Sequence, residues 1–290
     1  MTITVDSLSP AATAAAAVAE PRARFRDLLA AEWTKLWSLR SIHWALAATV
    51  LAILAANANA ARSDLANYPN YSAEVKNYWF VPYWAMRDAF TNNSAWIVAL
   101  AAGGIGAIAI VGEYSTGMIR TTFAAVPARR SVLAAKVAVL TGLMLVAGAV
   151  MAFGSFWLTQ AILSHRHIGI SISQPGALRC VIASALFPVV CALIGFGLGA
   201  LIKHSATTVI ATVGVLLLLP NLFNSPDKRW ICDLHNLMPI AAWERLAFIG
   251  GRQQLFGPYP ATITGSWLTY LIWPLVAVLL PLLLVRRRDL

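Results

Sequence analysis

Six long apolar stretches, with most of the charge gathered between them, constrain this chain more than anything else in it. They run at Ile42–Asn57, Ala95–Val111, Leu133–Leu163, Val181–Ile202, Ala206–Leu222 and Trp267–Val285. A helix needs roughly 20 residues to cross a hydrocarbon layer of about 30 Å. Backbone groups inside lipid must pair within their own segment, so such stretches fold as helices. Of the 290 residues, 59% are hydrophobic and 12% charged, against about 25% charged in a soluble domain. Mean hydropathy is +0.69. The expected fold is all-α, a polytopic membrane protein built as a six-transmembrane-helix bundle. In this setting the net charge of +10 reads as basic segments against membrane lipids, not as a nucleic-acid surface.

The chain divides by composition. Residues 1–20, rich in Ala, Ser, Thr and Pro, read as a flexible cytoplasmic tail. Residues 21–41 read as an amphipathic interfacial helix. In it Phe25, Leu28, Leu29, Trp33, Leu36 and Trp37 recur at helical spacing, with Arg22, Arg24, Arg26, Lys35 and Arg40 around them. The alternative is a helix packed on a soluble domain, and no such domain follows. Residues 42–290 read as the transmembrane part, with outer loops at about 58–94, 164–180 and 223–266; Ala56, Ala58, Ala60 and Ala61 are tolerable near an interface and leave room for the first span to extend into the loop. The third stretch exceeds one crossing and predicts tilt or projection from the membrane. Lys203, His204 and Ser205 predict a tight turn between the fourth and fifth spans; one long kinked segment is the competing parse. Gly195 with Gly199, and Ala138 with Gly142, predict close helix contact, and Pro188, Pro274 and Pro281 predict bends.

Orientation follows from basic residues in short flanks. With the N-terminus inside, the inner segments hold the basic helix, then Arg120, Arg129, Arg130 and Lys136, then Lys203, then Arg286, Arg287 and Arg288. Outer basic residues are diluted by acids such as Asp64, Asp88 and Glu244. Both termini are therefore expected on the cytoplasmic side, which an even number of spans allows.

Few residues invite chemistry. The spans are nearly free of ionisable groups, which weighs against an ion-coupled carrier. No GxxxxGK[ST] phosphate loop and no nucleophile elbow occurs. His165 and His167 read as a wet turn and the three cysteines share no ligand spacing, so no metal site is expected. Trp79, Trp84 and Trp243 read either as interface anchors or as contacts for a lipophilic substrate. The run GEYSTGMIRTTFAAVPARR, Gly112–Arg130, is the most informative. It leaves the second span at Glu113, whose burial requires a partner. It then reads as a short amphipathic helix closed by Pro127, either docking another protein or forming an ordinary basic inner loop.

The run GEYSTGMIRTTFAAVPARRSVLAAK resembles the cytoplasmic loop of ABC-2 type transporter permeases, the actinobacterial kind in particular. Glu113, Tyr114, Gly117 and Arg120 occupy that family's Glu-Tyr-x-x-Gly-x-x-Arg pattern. The opening AEWTKLWSLRSIHW, the ending LLLVRRRDL with Arg288 and Asp289, and the outer stretch LMPIAAWERL are similar to other family landmarks; the long first outer loop, Tyr68–Trp84, departs from them. The resemblance implies a permease subunit of type V exporter-like architecture in a bacterial cell membrane, without a catalytic site of its own. A separate ATPase subunit would bind ATP, so no cofactor is expected in this chain. A second copy or a sister permease would complete the route for export of a small hydrophobic or amphipathic substrate. It further implies that the 113–130 segment, with Glu113, Tyr114, Gly117, Met118 and Arg120, couples to the ATPase. Arg26, Glu32, Trp33, Lys35 and Trp37 belong to the connecting helix. A non-transporting membrane scaffold is the alternative.

Overall fold

The computed structural model describes residues 24–118, 121–122, 128–223, 228–249 and 259–284, with the side chains of 78–81 excepted. Helix α1 (Phe25–Ser38) leads across Leu39 into α2 (Arg40–Asn67). A 3-10 turn (Tyr68–Asn70), a π-helix (Val75–Trp84) and the short α3 (Ala85–Ala89) bring the chain to α4 (Asn92–Ser115). Next come α5 (Arg129–Ser164), α6 (Ala177–Ile202) and α7 (Ser205–Val213). Helix α7 continues through a π turn (Gly214–Leu218) and a last α turn (Leu219–Leu222). Two short helices, α8 (Arg229–Asn236) and α9 (Pro239–Ala247), precede α10 (Ile263–Leu284).

Among the described residues, six helices are long and apolar enough to cross a membrane: Arg40–Asn70, Pro82–Ser115, Arg129–Ser164, Ala177–Ile202, Ser205–Leu222 and Ile263–Leu284. The bundle is thus the six-span, all-α architecture expected, with shifted edges. The first span runs on through Ala58 to Asn67. Its alanines are good helix formers, so the segment read as the start of an outer loop is helix instead. Lys203 takes a left-handed φ of 61° between α6 and α7, which makes the tight turn and rejects the single kinked segment. The third span reaches 36 residues.

Helix α6 is the axis. It packs against α4, α5, α7, α9 and α10 and is buried along most of its length. Small residues set its distance from α4. A Cβ on Gly195 would lie 2.0 Å from the Gly103 carbonyl oxygen, and one on Gly106 would lie 1.9 Å from that of Ala192. Only hydrogen fits there, so the two backbones touch. The other pair read as a contact signal, Ala138 and Gly142, faces outward with nothing near Gly142. Its spacing was met by composition, not by packing. Leu51, Val146, Trp157, Ile210, Leu271 and Leu283 are among the apolar side chains left exposed, as a lipid-facing belt requires.

The stretch LMPIAAWERL folds as α9 and sinks between α6 and α10, with Ile240, Ala242, Trp243 and Leu246 buried. Arg179 secures its C-terminal end by donating from Nε to the Leu246 carbonyl (3.2 Å) and from Nη2 to that of Phe248 (2.9 Å). Those carbonyls are among the orphans that every helix end leaves.

Candidate functional site: a buried charge cluster at the junction of three helices

Helix α1 forms because Asp27 turns back on its N-terminus, accepting from the Arg24 backbone N–H at 3.1 Å. Its buried stripe is Leu28, Glu32 and Leu36, one residue per turn. The broad apolar face expected is thereby split, with Leu28 and Leu36 buried beside Glu32 and the aromatics outside. Trp33 and Trp37 stack on each other at 5.1 Å and are exposed, as is Phe25. Trp37 meets the His43 ring edge-on at 4.4 Å. The aromatics of α1 therefore point away from the bundle, where an amphipathic helix meets lipid, and an acid points in.

Glu32 meets its partners there. Lys136, about two turns into α5, donates to Glu32 Oε2 at 2.5 Å and to Glu113 Oε1 at 2.8 Å. Lys35 donates to Glu32 Oε1 at 2.8 Å and to Glu113 Oε1 at 3.3 Å. The four groups balance in charge. Three are sealed, with Glu32, Lys136 and Glu113 at 2%, 3% and 7% exposure. Lys35 sits at the rim. Burial pulls its pKa down, but the Glu32 hydrogen bond and the Glu113 charge outweigh that and hold it above its ordinary value. Glu113 Oε2 is buried with no hydrogen-bond partner.

The residues after Glu113 shape the exit from α4. Thr116 N–H donates to the Gly112 carbonyl and Gly117 N–H to that of Tyr114, both at the helix C-terminus. Gly117 has φ +71°, the left-handed conformation that closes helices and that a Cβ penalises. That explains the glycine of the Glu-Tyr-x-x-Gly run. The Lys203 ammonium lies 5.4 Å from the centre of the Tyr114 ring, joining the end of α4 to the α6–α7 turn. Met118 is exposed. Arg120 lies outside the described residues. Arg26 is exposed and pairs loosely with Asp27 at 3.6 Å.

The structure thus brings Glu32, Lys35, Glu113 and Tyr114 into one region with Lys136, which the sequence marks only as inner positive charge, and Lys203, which it marks as inner charge and as part of a tight turn. The signal for Lys136 was its place inside a helix that begins at Arg129; a lysine that far from the helix end needs an anion.

The tryptophans separate. Trp79 lies in the π-helix, its side chain outside the described residues. Trp84 carries the Arg87 guanidinium 4.5 Å from its ring centre, and its Nε1 is buried without a partner. Trp243 is 3% exposed and donates to Ser184 Oγ at 3.2 Å. It borders a small cavity of about 30 Å³ together with Asn57, Thr91, Ser94 and Ser155. Asn57 organises that cavity. Its Nδ2 donates to Ser155 Oγ (2.9 Å), and its Oδ1 accepts from Thr91 Oγ1 (2.9 Å) and Ser94 Oγ (2.7 Å). Among the described residues no group of three or more His, Cys, Asp or Glu side chains converges as a metal site would need. Compared with protein-family models and with curated proteins, the sequence matches none.

Proposed function

We propose that this polytopic membrane protein is the membrane-spanning subunit of an ATP-driven transporter, energised by a separate ATPase. The observation that supports the reading most is the Glu32–Lys35–Glu113–Lys136 cluster. It ties an interfacial helix, the exit of the second span and the start of the third into one charged joint. A push on α1, or on the segment after Gly117, is then carried into α4 and α5 as a unit, because separating any one of them strands a buried charge. Different ATPase states would favour different arrangements of the spans through that joint. The resemblance of the 113–130 run to ABC-2 permeases supplies the partner class. A small hydrophobic or amphipathic cargo, moved outward by a dimer of such subunits, fits the apolar bundle.

The test is co-expression with an ATPase encoded beside this chain, purification in lipid, and assay of ATP hydrolysis. The expected result is a stable complex whose hydrolysis falls at least tenfold in Glu113→Gln, with membrane insertion unchanged. A folded chain that recruits no ATPase would instead make it a non-transporting scaffold.

A further inference from the structure

A second polar site lies at the opposite end of the bundle, where the first connection folds back. Asp64 on α2, Trp84 at the end of the π-helix, Arg87 and Asp88 on α3, and Asn93 at the start of α4 line an open cavity of about 350 Å³. The carboxyl groups of Asp64 and Asp88 both border it, near enough to repel each other when charged. Asp64 Oδ1 accepts from the Tyr71 hydroxyl at 2.9 Å. Burial and that carboxylate push the Tyr71 phenol up to about 12, so it remains a donor. The Oδ2 atoms of both aspartates are buried without a hydrogen-bond partner, and Asp88 is only 4% exposed. Arg87, which also borders the cavity, lies over the Trp84 ring and, among the described residues, forms no salt bridge with either aspartate.

A buried acceptor left without a donor costs about 1–3 kcal/mol, and more when charged. Two such oxygens on one cavity favour a donor that brings positive charge. The cavity decides which kind. A calcium ion takes six to eight oxygen ligands, whereas among the described residues only two acids border this cavity. The volume is also about ten times the share of one water molecule, roughly 30 Å³. That is room for a group of several heavy atoms.

We propose that Asp64 and Asp88 form a binding site for a primary ammonium group, placed between their free carboxylate oxygens and open to the side of the bundle away from the charge cluster. The site goes beyond the transport reading and can be tested without it. The experiment is a saturation-transfer NMR titration of the full chain in zwitterionic-lipid nanodiscs with putrescine, using 1,4-butanediol as the neutral isostere. Putrescine should bind saturably and butanediol should not. Asp64→Asn keeps an acceptor for Tyr71, and it and Asp88→Asn should each weaken binding at least tenfold. Ser63→Trp adds bulk at the exposed rim without touching either acid and should block putrescine as well. Three results would overturn the proposal: calcium binding that depends on the two aspartates while putrescine does not bind, putrescine binding indifferent to both substitutions, or no binding of any cation. The last would make the pair two carboxyls sharing one proton.

Discussion

Removing Lys136 should damage this protein more than removing any other single charge. Its ammonium contacts Glu32 and Glu113 at 2.5 and 2.8 Å, and its side chain is 4% exposed. At an effective dielectric of 20, one such contact is worth about 6 kcal/mol before desolvation. The desolvation of a buried ammonium returns several kcal/mol of that for the pair of contacts. Lys136→Met fills similar volume but leaves two sealed carboxylates with only Lys35, at the rim. Breaking a buried ion pair from one side costs about 3–5 kcal/mol. A loss near 4 kcal/mol corresponds to roughly 8–16 °C in melting temperature for a chain of this size. The assay is thermal unfolding in lipid nanodiscs, followed by circular dichroism. Lys136→Met combined with Glu113→Gln removes one charge of each sign and keeps the Glu32–Lys35 pair, so the double variant should recover part of the loss. A single variant melting within about 2 °C of the parent, or a double variant with additive losses, would refute the reasoning.

Three further outcomes follow from local geometry. Gly106→Ala should prevent stable folding, because its Cβ would sit 1.9 Å from a backbone oxygen, whereas Gly104→Ala, with nothing within 4 Å, should be neutral or slightly stabilising; yield of monodisperse protein reads the contrast. Gly117→Val should cost about 1–2 kcal/mol in unfolding measurements because φ is +71°, and Gly117→Asn should cost less. Burial raises the Glu244 carboxyl to about 7. The folded state therefore holds that proton more tightly than the unfolded one, and stability falls as pH rises from about 4.5 to 7; Glu244→Gln should flatten the melting-temperature profile in that window, and an unchanged slope would exclude Glu244 as its source.

The fold was legible because lipid leaves a chain few options: apolar length alone predicted six helices and their order. Where an edge moved, at Ala58–Asn67, the helix continues past Asn57, which tertiary partners absorb, and through Asn59, which stays exposed. Asn57 satisfies both ends of its amide against α4 and α5. The charge cluster was half legible. Glu113 demanded a partner by its position at a span boundary, but which lysine answered depended on how α1 folds back across α5. Leu28 and Leu36 are legible as part of an apolar face, but the burial of Glu32 between them is not, because Trp33 and Trp37 dominate the apolar pattern of α1. The pair of Asp64 and Asp88 was invisible because 24 positions of irregular and π-helical chain separate them, and no periodicity links the two.

The contact between α4 and α6 limits where the molecule can bend. Two helices whose carbonyls approach within the space of a missing methyl cannot roll over one another without a clash along the whole seam. They behave as a keel. A cycle of shape change in this bundle has to hinge elsewhere, at the Leu39 break between α1 and α2 or at the left-handed Lys203 between α6 and α7. Cross-links placed along the keel should therefore be silent, and cross-links across those two joints should arrest the cycle.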